Sequence, residues 1–295
     1  MTTNVIALSA HDDRSTVLEM LEAGVVGYLV KGGSVDEVLA SIDRAVAGQA
    51  SLSVEVAGEV MDELAAHLQA RSREEERRRE ARERIQQAIG AEDILEVVFQ
   101  PLIELRTRAV VGAEALSRFR TTPHRAPDAW FAEAVGVDLG LELELAAIRR
   151  AVSLLPELPP GVHLAVNGSP AVFTSDRFAD LITTQIARRL VIEVTEHAPI
   201  GDYQSLTSAL APVRARGVRL AIDDAGAGFA SLQHILRLGP EFIKLDMGLI
   251  RGIHRDRSQQ ALAAGLISFA EKIGATIVAD PLHGGSLQVR DYRHV

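Results

Sequence analysis

Two hydrophobic periods divide the chain. Near the N-terminus, Val5-Ile-Ala-Leu-Ser9 and Val25-Val-Gly-Tyr-Leu-Val-Lys31 read as short apolar strands, and between them Val17, Leu18 and Leu21 recur at helical spacing up to Gly24. Ser34-Val-Asp-Glu37 has the form of a capping box. Val38, Leu39, Ile42 and Val46 supply the apolar stripe of the helix it opens, and Gly48 supplies its stop. The order strand, helix, strand, helix predicts a small parallel unit over residues 1–55.

From Arg71 to Arg84 the alternation gives way to nearly continuous charge without Gly or Pro. Glu74 and Arg78, Glu75 and Arg79, and Glu80 and Arg84 are spaced i,i+4 in the favourable order, each pair supporting a solvated helix by about 0.2–0.5 kcal/mol. Leu64 and Leu68 before this run, and Ile85 and Ile89 after it, extend a helical stripe whose middle is charged. The pattern predicts a helical linker over residues 56–93. It leaves a dimeric coiled coil and a single exposed spacer helix both open.

After Ile94 apolar strands recur, and most stop on a polar residue. They are Val110-Val-Gly-Ala-Glu114, His163-Leu-Ala-Val-Asn167, Leu190-Val-Ile-Glu193-Val-Thr-Glu196, Val218-Arg-Leu-Ala-Ile-Asp223-Asp224, Phe242-Ile-Lys244-Leu-Asp246 and Thr276-Ile-Val-Ala-Asp280. Helical patterns such as Leu141, Leu145, Ile148 and Val152, or Leu262, Leu266, Phe269 and Ile273 before Gly274, separate them. Repeated strand–helix units with polar strand C-termini predict an α/β fold, a TIM-like (β/α)8 barrel whose active site gathers at that face. Gathered carboxylates repel one another and are costly to bury, and hard divalent cations relieve both problems. The pattern therefore predicts Mg²⁺ or Mn²⁺, and clustered acids suit two ions that clamp a phosphodiester.

Composition narrows the chemistry. The 295 residues include no cysteine, which excludes disulfides, thiolate metal sites and a cysteine nucleophile. A net charge of −9 argues against sequence-independent binding to a nucleic-acid polymer or an anionic membrane. No apolar run reaches membrane-spanning length and the first residues lack the features of a signal peptide, so the expected location is cytoplasmic.

Ordered motifs then carry a resemblance. Phe99-Gln-Pro101, Glu114-Ala-Leu-Ser-Arg118, Val166-Asn167-Gly168-Ser169, Glu193-Val-Thr-Glu196, Asp223-Asp-Ala-Gly-Ala-Gly-Phe-Ala-Ser-Leu232 and Ile243-Lys-Leu-Asp246 resemble those of EAL-domain cyclic di-GMP phosphodiesterases, over about residues 94 to 279. The resemblance implies metal-dependent hydrolysis of one phosphodiester bond of cyclic di-GMP, giving linear pGpG. It also implies roles for single residues. Glu114, Asn167, Glu193 and Asp223 would hold one metal ion, Asp224 would serve the second, and Asp246 lies close by. Lys244 would position the attacking water, Glu196 would brace the loop after the Asp-Asp pair, and Gln100, Leu116 and Arg118 would contact the dinucleotide. Upstream, Leu8-Ser-Ala-His11 and Ala23-Gly-Val-Val-Gly-Tyr-Leu-Val-Lys31-Gly32 resemble the second half of a response-regulator receiver domain, which is flavodoxin-like. By that resemblance Ser9, Tyr28 and Lys31 are remnants of a phosphorylation switch. The phospho-accepting half is expected before Met1.

The C-terminal residues depart from the EAL pattern. Where the family has Ala-Glu-Gly-Val-Glu, this chain has Ala279-Asp280-Pro281-Leu282-His283, and no Gln-Gly element follows before Val295. Asp280 would replace the first family glutamate with a shorter carboxylate. The expectation is an EAL domain over residues 94–295 that is truncated after about 280, with weak or no hydrolysis. The competing expectation is a binding or protein-interaction module without turnover. A homodimer through the linker helix and EAL domain is a further expectation.

Overall fold

The computed structural model describes residues 4–10, 16, 17, 19, 20, 23–52, 54–195, 202–225 and 229–279. The chain divides into two compact units, Met1–Arg79 and Glu80–Val295. Among the described residues no helix is long and apolar enough to cross a membrane.

In the first unit, β1 (Ile6–Ser9), β2 (Gly27–Val30) and β3 (Ser51–Leu52) form a parallel sheet in that order. Two strands were legible in the sequence. The third has only two residues and offers no periodicity to read. Tyr28 is fully buried and packs with Val17. The capping box forms: Glu37 N–H donates to Ser34 Oγ, and Ser34 N–H donates to the Glu37 carboxylate. The helix Val35–Val46 follows, and Gly48 beyond it has φ +75°, a backbone state that glycine adopts without strain.

One helix runs Val54–Gly90, through the charged segment. Arg71 pairs with Glu75 at 2.8 Å and Arg79 with Glu76 at 3.3 Å, both on the exposed surface. Its last turns belong to the second unit. Ala81, Ile85 and Ala88 pack with Leu95, Phe119, Trp130 and Leu143, and Trp130 stacks on Phe119 with ring centroids 4.6 Å apart. Arg84 and Arg125 both pair with Glu133, on the helix Pro127–Gly136, and Arg82 donates to the Val137 carbonyl. Ile85 is completely buried. Ile85→Ala is expected to destabilise this unit by about 2–4 kcal/mol, measured as a shift in the denaturant midpoint.

The second unit contains a seven-stranded sheet. Its strands are β4 (Leu95–Ile103), β5 (Val110–Phe119), β6 (His163–Asn167), β7 (Leu190–Thr195), β8 (Arg219–Ala225), β9 (Phe242–Leu245) and β10 (Thr276–Ala279), adjacent in chain order. Among the described residues, β4 and β5 pair antiparallel and the later pairs are parallel. The helices Gly140–Leu154, Tyr203–Ala215, Phe229–Leu238 and Arg257–Ile273 connect successive strands, as parallel pairing requires. Gly274 closes the last of these with φ +76°.

Alternation decides which residues face the helices. Leu164, Val166, Leu190, Ile192, Val194, Leu220, Ile222 and Ile243 belong to the main core cluster. Their neighbours Ala165, Val191 and Ala221 form a separate small cluster with Phe242 on the opposite face. At the N-terminal end of that inner face the His163 ring stacks on Phe242, centroids 5.6 Å apart, and covers Gly112 so closely that an added Cβ would lie 2.4 Å from its Nε2. Burial, together with the Arg219 cation, pushes the His163 imidazole down to about 4, against which a hydrogen bond with the Val111 backbone acts. A neutral His in the fold and a titrating His in the unfolded chain mean that stability falls as pH drops from about 6.5 towards 4. The expected loss is roughly 1–3 kcal/mol, and His163→Gln removes that part of the slope in urea titrations over this pH range.

Candidate functional site

The same alternation brings the chemistry together. Asn167 on β6, Glu193 on β7, Asp223 on β8 and Lys244 on β9 occupy inward positions at or near the C-terminal ends of their strands, whereas Glu114 takes an inward position in the middle of β5, which does not stop at the acid but runs on to Phe119 because it stays paired with β4. Register aligns them: Asn167 sits opposite Glu193, and Glu193 opposite Ala221, two residues before Asp223. Lys244 Nζ donates to Glu193 at 2.8 Å, to Asp223 at 3.1 Å and to Glu114 at 3.2 Å. Lys244 is 2% exposed, Glu193 1%, Glu114 5% and Asp223 8%, so the four charges lie below the surface. Asn167 Nδ2 donates to Glu114 Oε1 at 2.9 Å, which leaves the Asn167 carbonyl oxygen as its acceptor.

Ligand oxygens of Glu114, Glu193 and Asp223 lie within 4.8 Å of one another. When all three carboxylates are ionised, they and the ammonium carry a formal charge of −2, which a single divalent cation would neutralise. Burial pushes the Glu193 carboxyl up to about 8; the neighbouring Glu114 and Asp223 add to the rise, and the Lys244 ammonium opposes it. An all-oxygen donor set of this size suits Mg²⁺ or Mn²⁺, so the residues present fit such an ion.

The end of β8 departs from regular geometry. Its pairing with β9 shifts register between Ile222 and Ala225, and Asp224 takes φ +58°, where Asp is among the better tolerated residues. The shift follows Ile222, while the pairing with β7 keeps Asp223 in register opposite Thr195. Asp224 is half-buried, and its backbone N–H donates to Asp223 Oδ1 at 2.9 Å. Asp246, just past β9, caps the short helix Met247–Ile250, with Oδ1 accepting from Gly248 N–H at 2.7 Å.

A cleft of about 470 Å³ opens beside Asn167. Leu116 and Arg118, two and four residues past Glu114 on the same strand, line it with Asp128, Phe131 and Glu144. Gln100 pairs directly with Glu114 across β4 and β5 and so shares its face. Glu196 and Asp280 lie outside the described residues.

Comparison with known proteins gives the family. The model of the EAL domain matches residues 82–283. The chain belongs to the EAL domain family. A probable cyclic di-GMP phosphodiesterase of Escherichia coli, PdeN, is 31% identical over 196 residues, covering 62% of this chain and 38% of that protein. An uncharacterized protein of Mycobacterium tuberculosis is 28% identical over 201 residues, covering 64% of this chain and 32% of its own length. The chain thus spans about a third of the curated relatives it matches. Among solved structures, Klebsiella pneumoniae BlrP1 in a manganese and cyclic di-GMP complex is 29% identical with a TM-score of 0.57, over 65% of this chain and 50% of that one. The Xanthomonas citri FimX EAL domain, solved with c-di-GMP, shares the fold with a TM-score of 0.63 at 24% identity, over 75% of this chain and 89% of that one.

Glu144 was not singled out by its sequence pattern. It lies three residues past Leu141 and four before Ile148, on the apolar stripe of its helix, and a carboxylate in that position was the available signal.

Proposed function

We propose that this EAL domain is a metal-dependent phosphodiesterase that hydrolyses cyclic di-GMP to linear pGpG. The observation that carries the reading is the convergence of Glu114, Glu193 and Asp223 on Lys244 at 2.8–3.2 Å, beside a cleft large enough for part of a dinucleotide. Glu114, Asn167, Glu193 and Asp223 would hold one divalent ion, and Asp224, with Asp246 near it, would serve a second. Such ions lower the pKa of water and neutralise a phosphodiester oxygen. Lys244 would position the attacking water once an ion draws away at least one of the three carboxylates that now take up its N–H donors. Arg118 offers a guanidinium to a phosphate, while Gln100 and Leu116 flank the dinucleotide. Glu196 would steady the loop after Asp224, and Asp280 would supply a carboxylate from the end of β10.

A second reading is binding of cyclic di-GMP without turnover, favoured by Asp280, Pro281 and His283 standing where the family motif has other residues. Equilibrium dialysis against cyclic di-GMP with Mn²⁺, alongside chromatography of the nucleotide after incubation, separates the two. Product formation supports the enzyme. Binding with intact nucleotide supports the module.

The first unit is proposed to be a partial receiver domain over residues 1–55. Ser9 ends β1, Lys31 follows β2, and the Lys31 N–H donates to the Ser9 carbonyl at 2.6 Å, so the two positions share one end of the sheet, which supports this reading. Met61, Leu64 and Leu68 are exposed at i, i+3 and i+7 on the linker helix, which supports pairing of two copies along it.

A further inference from the structure

The Glu144 carboxylate lies on the helix Gly140–Leu154 and lines the cleft next to Asn167, and it is held there by Ser169. One of its oxygens, Oε2, accepts from the Ser169 backbone N–H at 2.9 Å and from the Ser169 hydroxyl at 2.8 Å. Ser169 in turn caps the helix Pro170–Phe173 by accepting from Val172 N–H at 3.3 Å. Between Ser169 and Asn167 stands only Gly168. Its N–H donates to the Glu193 carbonyl at 3.2 Å, and a Cβ there would lie 2.7 Å from both Phe173 and Val172. The segment Asn167–Ser169 therefore has no slack: a neighbouring strand holds one end and Glu144 holds the other.

We infer that Glu144 is a positioning residue that fixes Asn167 through Ser169, so that the Asn167 amide keeps its bond to Glu114 and presents its remaining oxygen to a divalent cation. The inference rests on the metal-site reading above, although not on turnover. An outer group that locks the orientation of a ligand commonly contributes about 10- to 100-fold to metal affinity. Because both contacts go to one oxygen, the amide oxygen of glutamine can accept them equally well, and only the charge is lost. Positioning and direct charge contact with a ligand therefore make opposite predictions for Glu144→Gln.

Isothermal titration of the full chain with Mn²⁺ alone tests this, on wild type, Glu144→Ala, Glu144→Gln and Ser169→Ala, each with its thermal unfolding curve. The expected result is a weakening of Mn²⁺ binding by about tenfold or more in Glu144→Ala, a smaller loss in Ser169→Ala, and an affinity within about twofold of wild type in Glu144→Gln. If Glu144→Ala fails to fold, Ser169→Ala and Glu144→Gln carry the same contrast. Wild-type affinity in both Glu144→Ala and Ser169→Ala would overturn the inference, as would equal weakening in Glu144→Ala and Glu144→Gln. A wild type that binds Mn²⁺ but leaves cyclic di-GMP intact would defeat the phosphodiesterase reading while the role of Glu144 stands. A wild type that binds no Mn²⁺ would defeat both.

Discussion

Replacing Lys244 with alanine is expected to destabilise the metal-free protein by about 3–5 kcal/mol, because it strands three buried carboxylates without their common counter-charge. The direction follows from burial: each of the four groups is less than a tenth exposed, so water cannot take over the role of the ammonium. Mn²⁺ should restore much of that loss, since a divalent cation neutralises the same oxygens. Hydrolysis of cyclic di-GMP should nevertheless stay at least about a thousandfold down, equivalent to ~4 kcal/mol of transition-state stabilisation, because the ion does not replace Nζ beside the water. Urea unfolding of the variant in chelator and in Mn²⁺, set against wild type, reads the first effect. Equal stability of variant and wild type in chelator would show that the carboxylates do not depend on Lys244.

The second large effect concerns Glu114, whose two oxygens have different duties. Oε1 accepts from Asn167 and Oε2 accepts from Lys244. In Glu114→Gln the amide oxygen can keep the Asn167 bond, but the amide nitrogen then faces the ammonium, donor against donor. A ligand charge is lost with it. Turnover is expected to fall by about a thousandfold or more, ~4 kcal/mol, and to remain low at saturating Mn²⁺ because geometry as well as affinity has changed. Initial rates across a Mn²⁺ series check this. Recovery to within tenfold of wild type at high Mn²⁺ would assign Glu114 to ion retention alone.

Much of this site was legible because a β-strand alternates. In Val110-Val-Gly-Ala-Glu114 and Leu190-Val-Ile-Glu193 the acid follows a run of apolar residues, and parallel strands in register bring such positions to one face, although β5 runs on past Glu114 to Phe119. Other features lacked any such signal. The antiparallel strand β4 was missed as an element because Leu95–Ile103 is mixed in burial and is joined to β5 by a tight turn in which Arg108 has φ +59°, rather than by a helix. The irregularity at Asp223–Asp224 is a property of the pairing with β9, so no local pattern around the two aspartates announces it. Glu144 acts across 25 residues of sequence, through a serine hydroxyl and an amide, and only the fold brings those groups together. Likewise, Lys244 could be placed on a strand from its neighbours, whereas its three simultaneous ion pairs depend on four strands meeting.

The reading that these four strands build a metal-dependent site for a cyclic dinucleotide stands or falls on one experiment. It is to strip the purified full chain of metal, add cyclic di-GMP, and follow the nucleotide by chromatography before and after addition of Mn²⁺ or Mg²⁺. No change is expected before the ion is added, and conversion to linear pGpG is expected afterwards, abolished again by chelator. Intact cyclic di-GMP throughout, or hydrolysis indifferent to chelator, would contradict the reading.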